Sequence, residues 1–153
     1  MRAIVSAPAL DISDSNAVQR AMSGVLTKLT PNLGVLKLDL SAISRDLDVV
    51  RDYRTDPLNY TGKVRARTGT EILRTVLAMR PRLEALTLPL LLIHGTADRL
   101  VPVTTTEFVQ QHVGSDDVTV KIYEGGYHES HNEPNKDAVL TDIVTWLEAH
   151  TQP

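Results

Sequence analysis

Leu88-Pro89-Leu90-Leu91-Leu92-Ile93-His94-Gly95-Thr96-Ala97-Asp98 is the stretch that decides how this chain folds. Residues 90–93 form an unbroken apolar run bounded by Pro89 and Gly95. A run this short, with no polar alternation, reads as a strand covered on both faces, as in a parallel sheet. Asp98 follows in a Gly-Thr-Ala-Asp turn, at the carboxyl end of that strand, where α/β sheets collect their chemistry. A second predicted strand, Val118–Tyr123, runs into Glu124-Gly125-Gly126-Tyr127-His128. The chain therefore delivers an acid and then an imidazole, each just past a strand. That is the order of the last two members of a Ser…Asp…His triad.

Around this pair the composition is ordinary for one globular core: 153 residues, 42% hydrophobic, net charge −3. There is no Cys, so disulfides and thiolate metal sites are excluded. The charge is unevenly spread, with 12 Lys/Arg against 9 Asp/Glu in residues 10–85 and 3 against 10 in residues 86–153. The change coincides with the apolar run, which marks an organisational boundary. Basic residues are scattered, and one Phe and one Trp offer little stacking surface, so nucleic acid is not an expected partner. No apolar run approaches the ~20 residues of a membrane span, and no signal-peptide pattern is present. A cytoplasmic protein is the expectation, with peripheral membrane contact left open.

Upstream, residues 3–10 (Ala-Ile-Val-Ser-Ala-Pro-Ala-Leu) read as a short buried strand stopped at Pro8. A parallel strand normally follows a helix and lies beside an earlier strand, so this start leads us to expect that preceding strands are missing. From residue 11 to 85 the pattern changes to short helices broken by turns. Met22, Val25, Leu26 and Leu29 share a helical face; residues 33–40 are apolar but irregular; residues 46–53 form a short helix. Residues 70–80 are strongly amphipathic through Ile72, Leu73, Val76 and Leu77, ending at Pro81. An insertion of this size exceeds a simple crossover and reads as a cap. A helix at Thr104–His112 and a final helix carrying Val139, Leu140, Ile143, Val144 and Leu147, with Trp146 alongside, complete an α/β layering.

Asp98 or His128 alone is weak, because an Asp in a polar turn is usually a turn former. Together they make a carboxylate that fixes an imidazole's tautomer. A metal reading of His128, Glu129, His131 and Glu133 conflicts with Gly125-Gly126 before and Pro134 after, which impose a loop, and no His-Glu-x-x-His occurs. His94 reads as a structural or pocket-wall residue, and His112 and His150 as residues at helix ends. A nucleophile is missing. No two of the eight glycines stand four apart, so there is no Gly-x-Ser-x-Gly elbow, and Ser6, Ser13, Ser15, Ser41 and Ser44 offer no substitute.

Leu90-Leu-Leu-Ile-His-Gly-Thr-Ala-Asp-Arg-Leu-Val-Pro102, Ile122-Tyr-Glu-Gly-Gly-Tyr-His-Glu129 and Asn132-Glu-Pro-Asn-Lys-Asp137, with Pro31-Asn-Leu33 and Ser44-Arg45 upstream, carry a family resemblance. The chain resembles the C-terminal portion of an α/β-hydrolase of the monoacylglycerol lipase and lysophospholipase (serine aminopeptidase S33-like) group. The resemblance implies an α/β fold of about three parallel strands with flanking helices and a helical cap inserted between the first and second strands. Residues 1–10 would be the strand after the missing nucleophile elbow, 11–85 the cap, and 86–153 the C-terminal core. It implies hydrolysis of monoacylglycerols or related lipid esters without a cofactor or metal, Asp98 matching the triad acid and His128 the general base. Cap residues such as Leu33, Leu36 and Leu38 would meet the acyl chain. The alternative is a catalytically inert lipid-binding or interaction module. On the fold that the resemblance implies, the unpaired edge of the first strand would favour self-association or a complementary N-terminal half, and would leave the lone chain poorly soluble.

Overall fold

The computed structural model describes residues 1–10 and 27–151. Its centre is a three-stranded parallel sheet in the order β1 (Ala3–Ser6), β4 (Leu90–Gly95), β5 (Val118–Tyr123). Every residue of β4 is buried, and its side chains alternate between two layers as the two-residue period of a strand requires. Leu91 and Ile93 pack with Val139, Ile143, Trp146 and Leu147 of α4 (Lys136–Ala149). Leu90 and Leu92 pack with Val109 of α3 (Thr104–His112), and with Ala3, Val5, Val118 and Val120 from the neighbouring strands. Coverage on both faces is why the run carries no polar residue before His94.

The first strand departs from expectation. It ends at Ser6 and is half-buried: Ala3 and Val5 face the core while Ile4 and Ser6 are exposed. Among the described residues β4 is its only strand neighbour, so no described strand pairs with its other edge. Ala7 then leaves the strand with φ 46, the left-handed region, before Pro8.

Between β1 and β4 lie α1 (Leu47–Thr55), α2 (Ala66–Met79) and a two-stranded antiparallel pair, β2 (Gly34–Leu36) with β3 (Val64–Arg65). This segment is therefore not purely helical, and part of the irregular stretch 33–40 is a strand. Asp46 caps α1 by accepting the Asp48 N–H at 2.9 Å. α2 starts four residues before its apolar periodicity suggests. The N–H groups of Ala66 and Arg67 in its first turn donate to the carbonyls of Leu33 and Pro31, satisfying donors that no helical turn could. Of the helix predicted through Met22, Val25, Leu26 and Leu29, only residues 27–29 fall within the description, and these are helical. In α4, Leu140 and Val144 point away from the core and are exposed, whereas Trp146 is buried.

Candidate active site

The turn after β4 and the loop after β5 are stitched together by backbone groups. Thr96 N–H donates to the Tyr123 carbonyl (3.0 Å), Ala97 N–H to the Gly126 carbonyl (2.9 Å), and Gly125 N–H to the Thr96 hydroxyl (2.7 Å). Gly125 has φ +67, which a residue without Cβ adopts at little cost. This lacing sets Asp98 opposite His128. Nδ1 of His128 donates to Oδ2 of Asp98 at 2.8 Å, and the Asp98 side chain has no solvent-accessible surface. Oδ1 accepts the N–H groups of Leu100 (2.8 Å) and Val101 (2.9 Å), so the turn itself clamps the carboxylate.

His128 keeps 30% of its side chain accessible. Among the described residues no hydrogen bond is made to its Nε2. The imidazole thus has one nitrogen committed to an acid and one available to take a proton.

A third segment, reached 88 residues earlier in the chain, holds the loop that bears His128. His128 and Glu129 donate their N–H groups to the carbonyls of Ala42 and Ile43, and the Ser44 hydroxyl donates to the Asn132 carbonyl at 2.8 Å. Glu133, almost wholly buried, accepts the Arg45 N–H at 2.7 Å through Oε1 and the Arg45 guanidinium through Oε2. A buried carboxylate without these partners would carry a large desolvation penalty, so the clasp fixes the far end of the loop.

Electrostatics follow from this geometry. Burial alone would raise the Asp98 pKa. Hydrogen bonds from His128, from His94 and from the N–H groups of Val101 and Leu100 outweigh it and hold the carboxyl well below the usual carboxylate range. The hydrogen bond that His128 donates to Asp98 raises the His128 pKa, against partial burial, with added attraction from Asp98 and Glu129. The two shifts have opposite pH consequences. The Asp98 contribution to stability is present above the unfolded value of about 3.9 and is lost as pH falls through the depressed folded value. The His128 contribution is complete below about 6.5 and is lost as pH rises through the raised folded value. The Tm advantage of the wild type over His128→Gln is therefore expected to be greatest between about pH 4 and 6.5 and to shrink on either side. Thermal unfolding across pH checks this, and a constant difference would contradict the assigned pair.

Other predicted residues separate. His131 is exposed in a 3-10 turn (Ser130–Asn132), Glu129 accepts from Asn132, and Glu133 faces Arg45, so the residues of the metal alternative do not converge with His128. The rings of His112 and His150 donate to the carbonyls of Phe108 and Trp146, one turn back in their helices. Leu33, Leu36 and Leu38 are all exposed. Leu38 lines a groove of about 610 Å³ with Leu40, Arg54 and Thr61 that neither Asp98 nor His128 borders. Ser41 is bonded to Asp39 and Ser44 to Asn132, while Ser13 and Ser15 lie outside the described residues. Sequence reasoning missed how closely His94 engages Asp98; the four-residue spacing across the turn was the available signal.

The sequence profile described as "Serine aminopeptidase, S33" matches residues 1–135. The chain is 40% identical over 148 residues to the monoacylglycerol lipase of Mycolicibacterium smegmatis, covering 96% of this chain and 53% of that protein. It is 34% identical over 129 residues to the human monoglyceride lipase, covering 83% and 43% respectively. The crystal structure of Paleococcus ferrophilus monoacylglycerol lipase superimposes with a TM-score of 0.83 at 28% identity, covering 97% of this chain and 58% of that one. The chain thus spans about half the length of the curated relatives it matches.

Proposed function

From the premise that this chain belongs to the serine aminopeptidase S33 family of α/β-hydrolases, within its monoacylglycerol lipase-like group, we propose that it carries the acid and the base of a carboxylic-ester hydrolase. The substrate class is monoacylglycerols or related lipid esters. The observation that carries this reading is the 2.8 Å contact between Nδ1 of His128 and a buried Asp98 carboxylate, with no hydrogen bond to Nε2 among the described residues.

In the reaction, Nε2 takes the proton of a serine hydroxyl as that oxygen attacks the ester carbonyl. It then protonates the departing glycerol oxygen, leaving an acyl-enzyme. A water deprotonated by the same nitrogen releases the fatty acid. Asp98 keeps the hydrogen on Nδ1 and steadies the imidazolium through both steps. A Gly-x-Ser-x-Gly elbow does not occur in these 153 residues, so the serine comes from a segment outside them. Residues 11–85, of which 11–26 lie outside the described residues, act as the cap, and the exposed Leu33, Leu36 and Leu38 meet the acyl chain or a lipid surface. Among the described residues no helix is long and apolar enough to cross a membrane.

The test joins this chain to a segment chosen because it carries a Gly-x-Ser-x-Gly elbow, or mixes the two polypeptides. Hydrolysis of a monoacylglycerol and fluorophosphonate labelling of the added serine are expected only when both parts are present. Labelling of the 153-residue chain alone would overturn the nucleophile assignment. Binding of lipid without turnover would instead favour the inert lipid-binding module, which the exposed leucines would equally serve.

A further inference from the structure

We propose that His94 is a positioning residue for the Asp98–His128 pair, holding Oδ2 of the shared carboxylate by a second hydrogen bond and so limiting the negative charge that reaches the His128 ring. The inference rests on the roles of Asp98 and His128 given above. His94 has no accessible surface and cannot exchange a proton with a substrate. Its Nε2 lies 3.1 Å from Oδ2 of Asp98 and 3.0 Å from the Val101 carbonyl oxygen, and its Nδ1 lies 2.7 Å from the Thr106 hydroxyl. Both neighbours of Nε2 are acceptors, which places the hydrogen on Nε2 and makes the Thr106 hydroxyl the donor to Nδ1.

Four donors therefore fill the carboxylate, two on each oxygen: Leu100 and Val101 N–H on Oδ1, and two imidazoles on Oδ2. The two imidazoles compete for one oxygen. Each hydrogen bond to an anion draws on the same charge, so the Nε2–H of His94 weakens the pull of Oδ2 on a protonated His128. Thr106 reinforces this, because a hydroxyl donating to Nδ1 polarises the opposite N–H. A base held too tightly by its acid stays protonated near neutral pH and accepts no proton from serine. Other groups around His128 are Glu129 on its own loop and the Ala42 carbonyl from the segment packed beside it, while Arg99 lies over the ring of the adjacent Tyr127 and pairs with Asp39. None of them touches Oδ2.

The measurement is the titration of the His128 ring by NMR in the 153-residue chain, compared among wild type, His94→Leu and His94→Gln. Leucine fills the space without a donor, whereas the glutamine amide nitrogen reaches the place of Nε2. The midpoint is expected to rise in His94→Leu by about half a pH unit, roughly threefold in proton affinity, and to return toward the wild-type value in His94→Gln. Thr106→Val, which removes one hydroxyl and keeps the shape, should give a smaller rise and decides the matter should His94→Leu not fold. An unchanged or lowered midpoint, or a rise that glutamine leaves unreversed, would overturn the proposal. No serine takes part, so failure of the joined protein to hydrolyse ester would count against the hydrolase reading and leave this titration standing.

Discussion

In the protein joined to a serine-bearing segment, His128→Ala is expected to lower kcat by about 10⁶-fold, and Asp98→Asn by about 10⁴-fold. In both, KM for a monoacylglycerol should stay within severalfold, because neither side chain is needed to hold an acyl chain. In the proposed mechanism Nε2 of His128 moves the proton in both half-reactions, so the variant has no group to take over that step. Asp98→Asn acts through hydrogen-bond direction. Its amide nitrogen must replace either Oδ2, facing the N–H groups of two imidazoles, or Oδ1, facing the N–H groups of Leu100 and Val101. Either way a donor is set against donors in a site without solvent, and the first orientation also drives the hydrogen of His128 onto Nε2. Steady-state kinetics of the two single variants and the double variant check this. The double variant should be no slower than His128→Ala, because the residues act as one unit. Turnover unchanged in either single variant would refute its role.

Much of this arrangement is legible in the residues, and the parts that are not share a cause. Val118–Tyr123 and Thr104–His112 coincide with the bounds expected for them, and the run at 90–93 extends by His94 and Gly95 into β4. β5 pairs along β4 and α3 packs on it through Val109, and such burial is what a local apolar pattern records. β2 and β3 have three residues and two, too few for a period, and exist because Gly34 pairs with Arg65 and Leu36 with Val64, across a register shift, from segments far apart in the chain. The exposed flank of α4 escapes notice for the opposite reason. That helix is apolar around so much of its circumference that spacing alone cannot say whether Leu140 or Trp146 meets the sheet. The Asp98–His128 pair is inferable from its position after two strands. The Arg45–Glu133 clasp is not, because partners 88 residues apart leave no local trace.

Gly95→Ala is expected to damage the site more than any other single methyl group added to its loops. A Cβ at Gly95 would overlap the carbonyl carbon and oxygen of Gly126 and lie 2.6 Å from the Tyr127 carbonyl oxygen. All three atoms are backbone, so no side chain can swing aside to relieve the overlap. The end of β4 and the loop after β5 must then part, at the very place where Thr96 and Ala97 donate to Tyr123 and Gly126. Overpacking of this kind costs about 3 kcal/mol. Parting the loops also draws Asp98 from His128, and a displacement near 1 Å costs about 10²-fold in rate. Gly125→Ala is the control. Its Cβ would have only the end of Arg45 nearby, at 3.5 Å, so the expected penalty is the roughly 1 kcal/mol of forcing φ +67 on alanine. Urea unfolding and kcat of both variants separate the two mechanisms. Gly95→Ala should lose stability and rate together and Gly125→Ala mainly a little stability. Equal effects would mean that the close approach of the two strand ends does not set the distance between the acid and the base.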